Sequence, residues 1–235
     1  MSRLVAFIIG AGANIGQHTA AALTAKGYQV VLGSRNPSVE QLKNDGFFPV
    51  AVDAQNPQSI KAAFATITAE VGPPSVVIFN AASFTVAPTP AEPLTLSLES
   101  LTQQTALGLA VFAAAQEALS GFRSDALKDM PKTFIATGNP LPWVLADEPK
   151  WLGLSIQKVV QWRLVELLAH AYSKENIRFY FATLVDKTGG LLVPLSAFFT
   201  SGPQHAQVYL DLIAKKEQVD WDFRFTLDAQ QWKKA

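Results

Sequence analysis

The sequence predicts an α/β chain: a Rossmann-like, doubly wound parallel sheet with helices on both faces, in a single domain spanning residues 1–235. Short apolar runs alternate with longer amphipathic segments along the whole chain, and the early runs are apolar on both faces. Strands covered by helices on both sides carry that second feature. A glycine-rich turn, Gly10-Ala-Gly12-Ala-Asn14-Ile15-Gly16, joins the first apolar run to the first helical segment. Strand, helix and strand repeated in this way imply right-handed crossovers and a parallel sheet.

In chain order, strands are predicted at 4–9, 29–34, 48–53, 75–80, 132–137 and 177–184, with a last one at 223–227. Helices are predicted between them at 15–26, 39–45 (short), 57–70, 97–122 and 151–173, and a final one near 205–216. Two proline-rich stretches, 81–93 and 138–149, follow the fourth and fifth strands, and 186–204 makes a third excursion after the sixth. All three leave the carboxyl ends of their strands, where ligands bind in such sheets.

The 235 residues are 49% hydrophobic with no break in composition. That suits one domain burying roughly 70–75% of its unfolded surface. Nineteen basic and nineteen acidic residues cancel, leaving no electrostatic basis for binding nucleic acid or an anionic membrane. The absence of cysteine excludes disulfides and thiol chemistry and mildly favours a reducing compartment. The apolar start is short and ends in the glycine turn, so it reads as a strand rather than a signal peptide. No apolar stretch is expected to span a bilayer, and a soluble cytoplasmic protein is expected. His18, His170 and His205 are isolated and show no metal-ligand spacing, so no metal is expected.

The amino-terminal third reads as a dinucleotide site. Gly10 ends the first strand, Gly12 allows backbone to approach a pyrophosphate, and Gly16 lets the following helix pack closely. The positive end of that helix then faces the phosphates, with Asn14 and Ile15 in its first turn. At the tip of the second strand, where an acidic residue would hold two ribose hydroxyls, stand Ser34 and Arg35. An arginine can fork onto a 2′-phosphate, which favours NADP over NAD. A solvated surface arginine is the alternative. Asp53-Ala54 ends the third strand and Asn80-Ala81-Ala82 the fourth, placing short polar side chains beside an adenine or a nearby backbone. Either could instead cap its strand end.

The glycine pattern, the strand-end aspartate, Asn80-Ala81-Ala82 and the late Lys158 resemble the short-chain dehydrogenase/reductase family over essentially the whole chain. Asn14 takes the place of the middle glycine of that family's Gly-x-x-x-Gly-x-Gly turn. The resemblance implies a helix-borne asparagine, a serine after the fifth strand, and a tyrosine four residues before a lysine. The tyrosine exchanges a proton with the substrate oxygen, and the lysine lowers its pKa and grips the nicotinamide ribose. Positions four apart share a helix face, which gives that spacing its reason. Here the lysine position matches Lys158, and the tyrosine position holds Leu154, which transfers no proton. Spacing to Gly108 puts the asparagine position on Thr105, and Asn139 stands at the serine position beside Thr137. Divergent members with a Thr-Gly turn, a retained lysine and a tryptophan-bearing tail match Thr137-Gly138, Lys158 and Trp221-Asp222-Phe223.

Ser155, three residues before Lys158, and Lys158 itself are candidate proton donors. Asp147 and Glu148 could supply a carboxyl, or form a solvated loop pair. Trp143 and Trp151, with Leu154, Phe84 and Phe198 or Phe199, could wall a pocket for a flat or greasy substrate, or anchor loops on the core. The 148–151 stretch, Glu-Pro-Lys-Trp, is loosely similar to an acidic–Pro–x–Trp loop of fungal relatives that reduce imines.

Three readings follow. One is an NADP(H)-dependent oxidoreductase for a small carbonyl or imine with a non-standard proton donor. The second is an inactive NADP(H)-binding sensor or scaffold, and the third a methyltransferase or another Rossmann ligand binder. The resemblance also implies a homodimer or homotetramer through the helices at 97–122 and 151–173. Val159, Trp162, Val165 and Leu167 are available to that contact or to the core.

Overall fold

A computed structural model describes residues 4–144 and 149–234. Seven strands form one parallel sheet: β1 (Val5–Ile9), β2 (Gln29–Ser34), β3 (Phe48–Ala51), β4 (Val76–Phe79), β5 (Lys132–Thr137), β6 (Ile177–Leu184) and β7 (Asp222–Phe225). Their order is β3-β2-β1-β4-β5-β6-β7. The helices are α1 (Ile15–Ala25), α2 (Val39–Asn44), α3 (Pro57–Glu70), α4 (Leu98–Phe122), α5 (Leu152–Tyr172) and α6 (Gly202–Ile213).

Alternation along each strand divides the core. Phe7, Val31, Val77, Phe134 and Phe179 face one side, where they meet Ile60 and Phe64 of α3, Val111 and Ala114 of α4, and Val165 of α5. Ala6, Ile8, Val30, Ile78, Ile135 and Tyr180 face the other, against Leu23 of α1 and Val208, Tyr209 and Leu212 of α6. Each fully buried phenylalanine or leucine stabilises the fold by about 1.5–3 kcal/mol relative to leaving it exposed. Phe7 and Phe64 add an edge-on ring contact at 5.2 Å. The strands are apolar on both faces because each face has its own helical layer.

The register brings the carboxyl ends level. Ile9 pairs with Gly33 on one side and with Phe79 on the other, and Thr137 pairs with Ala182. Local chemistry moves two boundaries. β3 stops at Ala51 rather than 53, because Asp53 N turns to Ser59 Oγ at 2.9 Å. α6 begins at Gly202 rather than 205, with Pro203 in its first turn and Gly202 N held by Asn14 Oδ1.

Contrary to the expectation that no stretch could span a bilayer, α4 (25 residues) is long and apolar enough to do so by length and composition. In this fold Leu107, Val111, Ala114, Ala118 and Phe122 bury its inner face against the sheet. Of the four apolar positions weighed on α5, Val165 is core and Trp162 packs on Trp221 at 5.3 Å, while Val159 and Leu167 are exposed.

Candidate active-site cleft

From β1 the chain passes outward to β2 and β3 in one direction and to β4 in the other. The crevice at such a reversal lies outside the carboxyl ends of the strands, and a two-part cleft opens there. One part, ≈ 450 Å³, is lined by Gly10, Gly12, Ser34, Arg35, Asp53, Ala54, Asn80, Ala81 and Ala82. The other, ≈ 520 Å³, lies toward β5 and β6 and is lined by Asn14, Ile15, Asn139, Trp151, Leu154 and Lys158. Gly12, Asn80, Ala82 and Ser83 line both parts, so the cleft is continuous.

The glycine turn is shaped by contact with its neighbours. Gly10 has φ +93°, and a Cβ there would lie 2.6 Å from Ala81 N. Gly16 lies outside the lining. Its Cβ would come within 2.8 Å of the Ala11 backbone, so the tight approach at Gly16 is to the turn itself rather than to the sheet. Nothing lies within 4 Å of a Cβ built on Gly12, leaving open space over the turn. Asn80 Nδ2 donates to Gly10 O at 2.8 Å and ties β4 to this turn. At the rim, Arg35 is exposed and Ser34 half-buried, and Asp53 Oδ1 accepts from Gln55 N at 3.0 Å.

Lys158 is the one titratable side chain lining the second part among the described residues. It is 4% exposed, and its Nζ donates to Thr137 O at 2.7 Å and to Gln161 Oε1 at 2.9 Å. Burial lowers its pKa to about 7, since a desolvated ammonium is disfavoured. Gln161 Nε2 donates to Leu107 O at 3.1 Å, which fixes its oxygen toward the lysine. Thr137 Oγ1 donates to Asn80 Oδ1 at 2.9 Å and therefore accepts from Tyr209 OH at 2.8 Å. Burial raises the Tyr209 phenol pKa, keeping it protonated as that donor.

The second part is mostly apolar. Phe84 stacks on Trp151, with centroids 4.7 Å apart and planes at 17°. Leu191, Leu192, Leu195, Phe198 and Phe199 roof it from the excursion after β6. Asn139 lines it while its Oδ1 accepts from Leu141 N at 3.1 Å.

Besides Gly16, three candidate residues lie elsewhere. Trp143 lies outside the lining: its indole donates to Gly189 O at 3.1 Å and its ring lies 3.5 Å from the Arg224 guanidinium carbon, so it anchors a loop. Thr105 Oγ1 donates to Leu101 O, one turn back on its own helix, at 2.8 Å. Ser155 is half-buried beside the cleft and outside its lining. Asp147 and Glu148 lie outside the described residues. Sequence reasoning missed Gln161 and Tyr209. A glutamine three residues after a lysine on one helix was a readable signal, whereas Tyr209 is brought to Thr137 by tertiary packing alone.

Fold and cleft together define a Rossmann-type protein with its ligand crevice at the switch point. The short chain dehydrogenase family model matches residues 4–120. The short chain dehydrogenase/reductase dmxR12 of Cryptosporiopsis sp. (strain 8999) is 29% identical, over 94% of this chain and 91% of its own. Among solved structures, a metagenomic short-chain oxidoreductase in complex with NADP superposes with a TM-score of 0.76 at 18% identity, covering 96% of this chain and 98% of its own. An alcohol dehydrogenase from the archaeon Thermococcus sibiricus, complexed with 5-hydroxy-NADP, gives 0.72 at 20% identity, covering 98% and 99%. The chain belongs to the short-chain dehydrogenase/reductase family of oxidoreductases, which bind a nicotinamide cofactor.

Proposed function

We propose that the chain is an NADP(H)-dependent oxidoreductase that acts on a small, largely apolar carbonyl or imine, with Lys158 as its proton donor. The observation that carries this reading is the position of Lys158 Nζ. It lies in the apolar part of a cleft whose other part presents an open glycine turn, Ser34 and Arg35. Serine and arginine at the tip of β2 suit a 2′-phosphate, and the NADP-bound relative is consistent with that choice.

When bound, the nicotinamide supplies hydride. The protein's part is to position the substrate and move one proton. A charged Nζ has three hydrogens, and two are held by Thr137 O and Gln161 Oε1. The third is the proton proposed for transfer, and giving it up leaves both held bonds intact. A pKa of about 7 suits a general acid at neutral pH. Asn139, which lines the same part of the cleft, is placed to orient the substrate. Leu154, Trp151 and Phe84 fit an aromatic or aliphatic substrate. Exposed Leu109, Phe112, Val159 and Leu167 on α4 and α5 support a homodimer or homotetramer.

Titration with NADPH and NADH, followed by tryptophan quenching, tests the cofactor half. NADPH is expected to bind more tightly, and Arg35→Ala to erase the difference. NADPH oxidation with cyclic imines and enones tests turnover. Leucine at position 154 supports a second reading, an NADP(H)-binding protein without turnover. Tight NADPH binding with no reduction of any such substrate would select it, and failure to bind either nucleotide would exclude both readings.

A further inference from the structure

We propose that Asn14 is a positioning residue that latches the roof of the apolar cavity onto the glycine-rich turn, so that the cavity is shaped before any ligand arrives. The Asn14 carboxamide is used at both ends. Its Nδ2 donates to Phe198 O at 2.9 Å, and its Oδ1 accepts from Gly202 N at 2.7 Å. These partners stand 184 and 188 residues away in sequence, and they bracket the end of the roof and the start of α6.

The first amides of a helix have no partner within the helix. Ser201 makes no side-chain cap on α6, so Asn14 caps it from another element. The fit is reciprocal. A Cβ on Gly202 would stand 2.7 Å from Asn14 Oδ1 and 2.4 Å from His18 Nδ1, so the side chain at 14 occupies space left by the glycine at 202. The far end of the roof is fixed as well. Asp186 Oδ1 accepts from Thr188 N and Gly190 N, both at 2.8 Å, and the Trp143 and Trp232 indoles hold Gly189 O and Lys187 O. Between these anchors lie the leucines and phenylalanines that roof the cavity. Val193 is 90% and Phe199 66% exposed, so burial alone does not hold the segment down, and the latch at Asn14 supplies what burial lacks.

Hydrogen exchange of the ligand-free protein tests this without any assay of turnover. In Asn14→Gly, exchange across 195–202 is expected to rise about tenfold, the scale of a lost cap, while β1 and β4 stay protected. Gly202→Ala, which leaves Asn14 in place but pushes α6 off it, is expected to do the same. Asn14→Asp keeps the acceptor for Gly202 N and loses the donor to Phe198 O, so it is expected to fall between. Anilinonaphthalene sulfonate serves as the apolar probe of the cavity and is expected to bind at least fivefold more weakly in Asn14→Gly. Unchanged exchange and probe binding in Asn14→Gly would overturn the proposal. So would a rise in Gly202→Ala alone, which would mean that packing rather than the carboxamide holds the roof. A loss of protection extending to β1 and β4 would overturn it too, since Asn14 would then be supporting the whole fold.

Discussion

Gln161 accepts from Lys158 Nζ at 2.9 Å while its own amide donates to Leu107 O on α4. The lysine is therefore held by a side chain that cannot rotate without breaking a second buried bond. If Lys158 donates the proton, turnover falls as pH rises through its pKa of about 7. Gln161→Glu puts a carboxylate beside Nζ, which favours the ammonium. The alkaline fall in kcat/KM is then expected to move up by at least about one pH unit. Gln161→Leu removes an acceptor and is expected to move it down. A profile unmoved by both variants would remove Lys158 from proton transfer.

Lys158 also sets how stability depends on pH. Its folded pKa, about 7, lies below its ordinary value of 10.5, so the unfolded chain binds the extra proton between them. Stability from this group is therefore lowest below pH 7 and rises as pH climbs toward 10.5. The slope is about 1.4 kcal/mol per pH unit. Urea midpoints at pH 7 and 9 are expected to rise in the wild type relative to Lys158→Met. Bound dinucleotide would add its own linkage, so the comparison belongs to the free protein.

His205 behaves with the same sign in a lower window. Burial among Phe198, Tyr209 and Phe225 depresses it from 6.5 to about 4. Above pH 6.5 both states are neutral and its contribution is intact. As pH falls from 6.5 toward 4 the unfolded chain takes a proton, and on the order of 3 kcal/mol is lost. His205→Gln is expected to flatten the acid limb of a thermal-unfolding series between pH 7 and 4.5. An equally steep limb in that variant would assign the loss to other groups.

Much of this was legible in the sequence, for physical reasons. Period, turn chemistry and strand-end residues are local, so residue order alone places Gly10, Ser34, Arg35 and Asn80 at one sheet edge. Two of the excursions were recognisable by their prolines and the third by its place after the sixth strand, and Phe84, Trp151 and Phe198 do line one cavity. What stayed hidden depends on tertiary approach. Trp143 has the same composition signal as Trp151, yet Arg224 and Gly189 draw it away from the cavity. Asn14 reads as a misplaced turn residue until Gly202, far along the chain, is seen opposite it.

Leu154 gives the sharpest chemical test. It lines the apolar cavity on α5, four residues before Lys158 and on the same face. A phenol there would lie near a Nζ that prefers its cation beside an anion, and that proximity lowers the phenol's own pKa. Leu154→Tyr is therefore expected to raise kcat/KM for a conjugated ketone, by about 10²-fold if the phenol takes over as general acid. Its pH profile is expected to shift to the alkaline side, while NADPH affinity stays within about twofold, since Leu154 lines the apolar part of the cleft alone. Steady-state kinetics beside a fluorescence titration separate the two effects. If Leu154→Tyr binds NADPH normally yet gains nothing, the substrate does not present its oxygen at this face of α5. Asn139 and Ser83, which line the same part of the cleft, are then the first to replace in search of the groups that handle the substrate.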